Sequence, residues 1–231
     1  GDLYLGRAEL ERALEVAAVG LDNHPKSAAL FMLRGRVLLQ RGEALGAKDA
    51  FQTALELAPD DVRAYELLAR ALIETRHNDE AVTVLREGIG KVRGAEPLMD
   101  LLAELLASLG KRQDMEAVLS ELVERDPLNF QARLRLATSL KQSGLLGDSF
   151  RHFDILQKNG KMTVTARIEY ADALRVARRF DQAAEQLRQI LRLEPDNTSA
   201  AVLLGAVLVE QGQHEEAETF LRRVADTDAH N

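Results

Sequence analysis

The chain has 231 residues, 46% of them hydrophobic, and sets 30 basic against 37 acidic side chains for a formal charge of −7. That balance disfavours a nucleic-acid backbone binder. The absence of cysteine removes disulfide frameworks, thiolate nucleophiles and cysteine-ligated metals, while a periplasm and a cytoplasm suit the chain equally and the compartment stays unknown. No apolar run reaches the ~20 residues of a membrane span and no charged-then-apolar leader opens the chain, so the segment reads as soluble.

Alanine, leucine, glutamate and arginine dominate, with five prolines, three tyrosines and no tryptophan, a composition for helices rather than sheets. Self-comparison shows a period of 34: from Pro25 the steps fall on Pro59, Arg93, Pro127, Lys161 and Pro195. Two residues beyond each step stand Ser27, Asp61, Ala95, Asn129, Thr163 and Asn197. Five of these six are good N-cap residues, which predicts a helix start at each.

Within that first helix a small residue recurs as Gly35, Ala69, Ala103, Ala137, Ala171 and Gly205, where a neighbouring helix would approach closely. Three residues on, an apolar stripe runs through Leu38, Leu72, Leu106, Leu140, Leu174 and Leu208, with Tyr4 at the same place in an incomplete first repeat. A tight turn follows at Gly42, Gly110, Gly144 and Gly212, with Arg76 and Arg178 in the glycine's place. A second helix then packs back on three positions spaced i, i+4, i+7. They open with Ala13, Ala47, Ala81, Met115, Ser149, Ala183 and Ala217. They continue through Ala17, Phe51, Leu85, Leu119, Phe153, Leu187 and Leu221, and close with Gly20, Ala54, Gly88, Leu122, Leu156, Ile190 and Val224.

Segments such as Gly35…Gly42…Ala47…Phe51…Ala54…Pro59 resemble the tetratricopeptide repeat over essentially the whole chain. The chain departs from that pattern at Arg93 and Lys161, where proline is lost, and at Met115 and Ser149, where the small alanine is lost. The resemblance implies an all-α, right-handed superhelical solenoid of antiparallel helix pairs. It divides one repeat domain into a partial repeat 1–27 and repeats 28–61, 62–95, 96–129, 130–163, 164–197 and 198–231. On this reading the first repeat begins inside its first helix, and residues 225–231 fray without a polar capping helix. Both ends point to a piece of a longer protein, or to ends that self-associate. Two joints, 88–94 and 158–163, combine glycine with the loss of proline and read as less regular, the glycines at 88, 90 and 94 as a frayed helix end.

Chemistry is sparse. The histidines at 24, 77, 152, 214 and 230 share no ligand spacing, and His214-Glu215-Glu216-Ala217-Glu218 lacks the second histidine of a helical zinc motif and reads as a solvated helix start. No catalytic residue, metal site or cofactor is assigned, and no serine, histidine and carboxylate stand in a recognisable order.

The resemblance places a partner-binding groove on the first helix of each repeat. The residues it maps there are Arg36; Arg63, Glu66, Arg70 and Glu74; Asp100 and Glu104; Gln131, Thr138 and Lys141; and Asp172 and Arg175. Met32, Leu134, Ile168 and Val202 supply apolar anchors along them. No asparagine occupies this wall, which disfavours the subtype that holds a chaperone's C-terminal carboxylate and the asparagine ladder of repeat-bearing sugar transferases.

The expected function is therefore a non-catalytic protein–protein interaction scaffold that binds a peptide or helix of a protein partner, in the manner of repeat proteins of bacterial envelope and secretion assemblies. Two alternatives stand beside it: the recognition arm of a larger enzyme such as a transferase, and a self-assembling scaffold. Neither nucleic acid nor a membrane span is among the expected partners.

Overall fold

The computed structural model describes the backbone of residues 2–228 and the side chains of residues 9–218 and 220–222. Among the described residues the chain is helical throughout, thirteen helices joined by short turns, with no strand. It forms two compact units, Gly1–Asp126 and Pro127–Asn231.

Unit 1 holds α1 (Asp2–Asn23), α2 (Ala28–Gln40), α3 (Ala44–Leu57), α4 (Val62–Glu74), α5 (Asn78–Lys91), α6 (Glu96–Ser108) and α7 (Arg112–Arg125). Each packs against the next, and the first helices of successive pairs, α2, α4 and α6, also touch. The core gathers Leu38, Phe51, Tyr65, Leu72, Leu85 and Leu106. Unit 2 repeats the plan with α8 (Phe130–Gln142), α9 (Leu146–Lys158), α10 (Val164–Val176), α11 (Phe180–Leu193), α12 (Thr198–Glu210) and α13 (His214–Asp228). Here α8, α10 and α12 are the first helices. Leu174, Leu187, Leu204 and Leu208 form one core cluster, and Phe153 with Ala137 and Leu156 another.

The helices start and stop where local chemistry dictates. The side chains of Ser27, Asp61, Asn129, Thr163 and Asn197 each accept a hydrogen bond from a first-turn N–H, at 2.8 to 3.4 Å. Ala95 offers no such acceptor, and α6 opens with Pro97 near its start instead. At the turn inside each pair the backbone turns left-handed, at Gly42 with φ 77° and equally at Arg76 with φ 62° and Arg178 with φ 59°. Paired backbone bonds close these turns, as where His77 N–H donates to the Leu72 carbonyl at 2.8 Å and Arg76 N–H to that of Ile73 at 3.0 Å.

The packing stripes bury as expected: Leu38, Leu72, Leu106, Leu140, Leu174 and Leu208 are all buried, as is every small residue from Ala69 to Ala171 in their series. Ser149 is fully buried in place of an alanine because its hydroxyl donates to the Ala137 carbonyl at 2.7 Å. Met115 is half-buried. Tyr4 and Val224 lie outside the residues whose side chains are described.

Three expectations need correction. Residues 2–23 form one continuous helix, not the end of one helix, a turn and a second: Ala8, a strong helix former, stands where later repeats carry a left-handed turn residue. Helix α5 does not fray at Gly88 but continues to Lys91. Gly88 is buried, and a Cβ there would stand 2.7 Å from Leu98 and 2.8 Å from Tyr65, so close packing holds this stretch; the irregularity is confined to Val92–Ala95, where Gly94 has φ 70°. Helix α13 runs past Ala225 to Asp228, no proline or glycine interrupting it, while 229–231 fall outside the described residues.

Candidate functional site

The residues expected on the first-helix faces behave differently in the two units. In unit 1, Arg36 on α2, Arg63 and Glu74 on α4 and Glu104 on α6 are exposed and form no ion pair with any described residue. Between them Arg70 donates to Glu66 one turn back, Nε to Oε1 at 3.0 Å. Asp100 is half-buried on α6. Along this face α2 thus contributes one arginine, α4 two residues of each sign, and α6 two carboxylates.

In unit 2 the charges are spent on one another. Lys141 of α8 reaches across to α10, its Nζ donating to Glu169 Oε2 at 2.8 Å and to Asp172 Oδ2 at 2.6 Å. The other oxygen of Asp172 accepts from Arg175 Nη2 at 2.8 Å, and Arg175 Nη1 donates onward to Glu210 of α12 at 2.5 Å. A chain of alternating charge therefore ties the three first helices together. Burial alone would lower the Lys141 ammonium, but its hydrogen bonds to Asp172 and Glu169 outweigh that and hold its pKa above the ordinary value. Burial likewise pushes the Asp172 carboxyl up, and the bonds from Lys141 and Arg175 override it and hold the group below the usual carboxylate range. The hydrogen bond to Asp172 raises the Arg175 guanidinium further.

Of the residues expected at the site, the structure brings Lys141, Asp172 and Arg175 into contact and pairs Glu66 with Arg70; Gln131 is exposed and Thr138 half-buried on the same helix as Lys141. Glu169 and Glu210 were missed. Their signal was available: each carboxylate lies 28 to 35 residues beyond its cation, one repeat along.

A second polar cluster also escaped the sequence reading. Arg133 is 6% exposed, its Nη2 donating to the Pro127 carbonyl at 3.2 Å and its Nη1 lying 3.3 Å from His152 Nδ1. Burial, with Arg133 second, pushes the His152 pKa down. One repeat on, Arg167 Nη1 donates to Gln186 Oε1 at 2.7 Å and to Gln189 Oε1 at 2.9 Å.

Among the described residues, no group of three or more histidine, aspartate or glutamate side chains is arranged to hold a metal and no helix is long and apolar enough to cross a membrane.

A family model described as tetratricopeptide repeat matches residues 38–105 and 166–231, more than half of the chain. Tetratricopeptide repeat protein 21B of Xenopus laevis is 30% identical over 133 residues, 55% of this chain and 10% of that protein. The BBSome complex member BBS4 homolog of Drosophila melanogaster is 21% identical over 96% of this chain and 41% of its own length. This chain therefore spans less than half of either relative. Among solved structures, YrrB, described as a TPR protein with an unusual peptide-binding site, superposes with a TM-score of 0.66 at 18% identity, covering 81% of this chain and 97% of its own.

Proposed function

Since the chain belongs to the tetratricopeptide repeat family, a fold that serves protein–protein interaction, we propose that it is a non-catalytic scaffold that grips a peptide or helix of a partner on the first-helix face of unit 1. The observation that carries this is the contrast in charge pairing. In unit 2, Lys141, Asp172 and Arg175 already satisfy one another, so that face offers a partner little unspent charge. In unit 1, Arg36, Arg63, Glu74 and Glu104 are exposed and unpaired among the described residues. Their order favours a partner segment with acidic residues toward α2 and basic ones toward α6.

The test is capture of partners from source-cell lysate by the parent chain and by a triple charge reversal, Arg36→Glu, Arg63→Glu and Glu104→Lys, with circular dichroism to show equal helicity. Loss of the same protein band from the triple variant supports the reading. Equal capture by both would remove unit 1's first-helix face from consideration.

A further inference from the structure

On the second-helix side of unit 1, where α3 and α5 flank α4, lies a cleft of about 360 Å³. Its apolar wall is made by Leu68, Leu72 and Val84, with the buried ring of Tyr65 among them. Its rim is charged. Lys48 Nζ lies 3.1 Å from Glu80 and Lys91 Nζ 2.6 Å from Glu87, both pairs solvent-exposed in part. The remaining rim carboxylate, Glu56, is exposed and pairs with no described residue. Three carboxylates thus face two ammonium groups, and the uncompensated charge is negative.

The chain itself shows what fills the corresponding place. Tyr65, Val84 and Glu87 stand three 34-residue steps before Arg167, Gln186 and Gln189. In unit 2 the guanidinium of Arg167 sits on the amide oxygens of Gln186 and Gln189 at 2.7 and 2.9 Å. In unit 1 Tyr65 takes the arginine's place, and the cation on the acceptor is Lys91 from the same helix as Glu87. The acceptor remains and is stronger, a carboxylate at Glu87 for the amide at Gln189. Lys91 holds Glu87 as a half-exposed i,i+4 pair and is also drawn to the Tyr65 hydroxyl, contacts open enough to solvent for a competing donor to share the carboxylate.

We infer that this cleft receives an arginine side chain of a partner protein. Its methylene stem lies along Leu68, Leu72 and Val84, and its guanidinium bridges Glu56 and Glu87. A planar fork suits two carboxylates of one rim better than a lysine's point charge does. The cleft lies among second-helix residues, so the inference goes beyond the first-helix reading and stands or falls separately from it.

The experiment is a titration of the ¹⁵N-labelled full chain, followed by amide chemical shifts, with the blocked tripeptide acetyl-Gly-Arg-Gly-amide and with its citrulline and lysine counterparts. At up to about 10 mM peptide, the range expected for one seated side chain, the arginine peptide produces saturable shifts over residues 48–56 and 80–91. Citrulline, equal in shape but uncharged, binds at least about threefold more weakly. The Glu56→Gln and Glu87→Gln variants each weaken the arginine peptide by about threefold or more and leave citrulline unchanged. Absence of saturable shifts in those segments, equal binding of arginine and citrulline, or shifts confined to first-helix residues would each overturn the inference.

Discussion

Gly35 of α2 lies so close to Phe51 of α3 that a Cβ placed on it would stand 2.5 Å from the ring's Cε1. The ring is fully buried and has no free end to swing aside. Gly35→Ala therefore sets a gain in helix propensity of about 1 kcal/mol against an overpacking cost of about 1–3 kcal/mol. The cost prevails but is bounded: at the equivalent place in unit 2, Ala137 shares a core cluster with Phe153, so the repeat has an arrangement that admits the methyl group. We expect a net loss of about 1 kcal/mol, read as a lower urea midpoint at unchanged helical signal. A raised midpoint would show that the ring yields freely.

The left-handed turns at Arg76 and Arg178 point the other way. An L-residue at φ near +60° is strained by about 1–2 kcal/mol, and four register-equivalent positions carry glycine. Arg76→Gly and Arg178→Gly relieve that strain at the expense of greater freedom in the unfolded chain. Each variant is expected to gain about 0.5 kcal/mol, and the pair to act additively, since the two turns lie in different units. Thermal melts of the two singles and the double check both the sign and the additivity.

What the sequence revealed and what it hid divide along physical lines. The caps at Ser27, Asp61, Asn129, Thr163 and Asn197, the turn glycines and the leucine series from Leu38 to Leu208 are local or strictly periodic, so each residue carries its own signal. The long side chains facing the space between helices do not repeat in kind. Tyr65, Met99, Arg133 and Arg167 share one place in the repeat, yet the first two are buried as core and the last two hold polar partners. A period of 34 aligns positions but is silent on which neighbour satisfies each head group. The candidate site suffered most from this: helical spacing put Lys141, Asp172 and Arg175 on one face but could not show that they bind one another, nor that Glu169 and Glu210 complete the chain.

His152 gives unit 2 a pH response. Its Nδ1 accepts from Arg133, so the ring is neutral, and a proton on that nitrogen would remove the acceptor and set two cations side by side. Asp148 favours the charged ring, Arg151 opposes it, and burial with Arg133 dominates, lowering the folded-state pKa. The unfolded chain then binds the proton more readily, so stability is full above about pH 6.5 and falls as pH drops below that value. His152→Gln mimics the amide at Gln186 and should flatten the change in urea midpoint between pH 7.5 and 5.5. An identical slope in the variant would assign the pH response elsewhere.

Asp172 is the hub of the unit 2 charge chain, accepting from Lys141 with one oxygen and from Arg175 with the other. The side chains of Lys141 and Asp172 are only 10% and 26% exposed, so their coupling is screened less than that of a surface pair. Asp172→Asn preserves shape but loses the charge, leaving Lys141 to Glu169 and Arg175 to Glu210. We expect a loss of about 1–2 kcal/mol, and a coupling of about 1 kcal/mol in a double-mutant cycle with Lys141→Met. Because the Asp172 pKa is depressed by its two cations, its contribution is present above the ordinary carboxylate value near pH 4 and disappears as pH falls below it. The cycle repeated at pH 3 should therefore show weaker coupling than at neutral pH. Coupling near zero at neutral pH would mean instead that these charges are free of one another in solution, and the unit 2 face would then offer a partner as much unspent charge as unit 1 does.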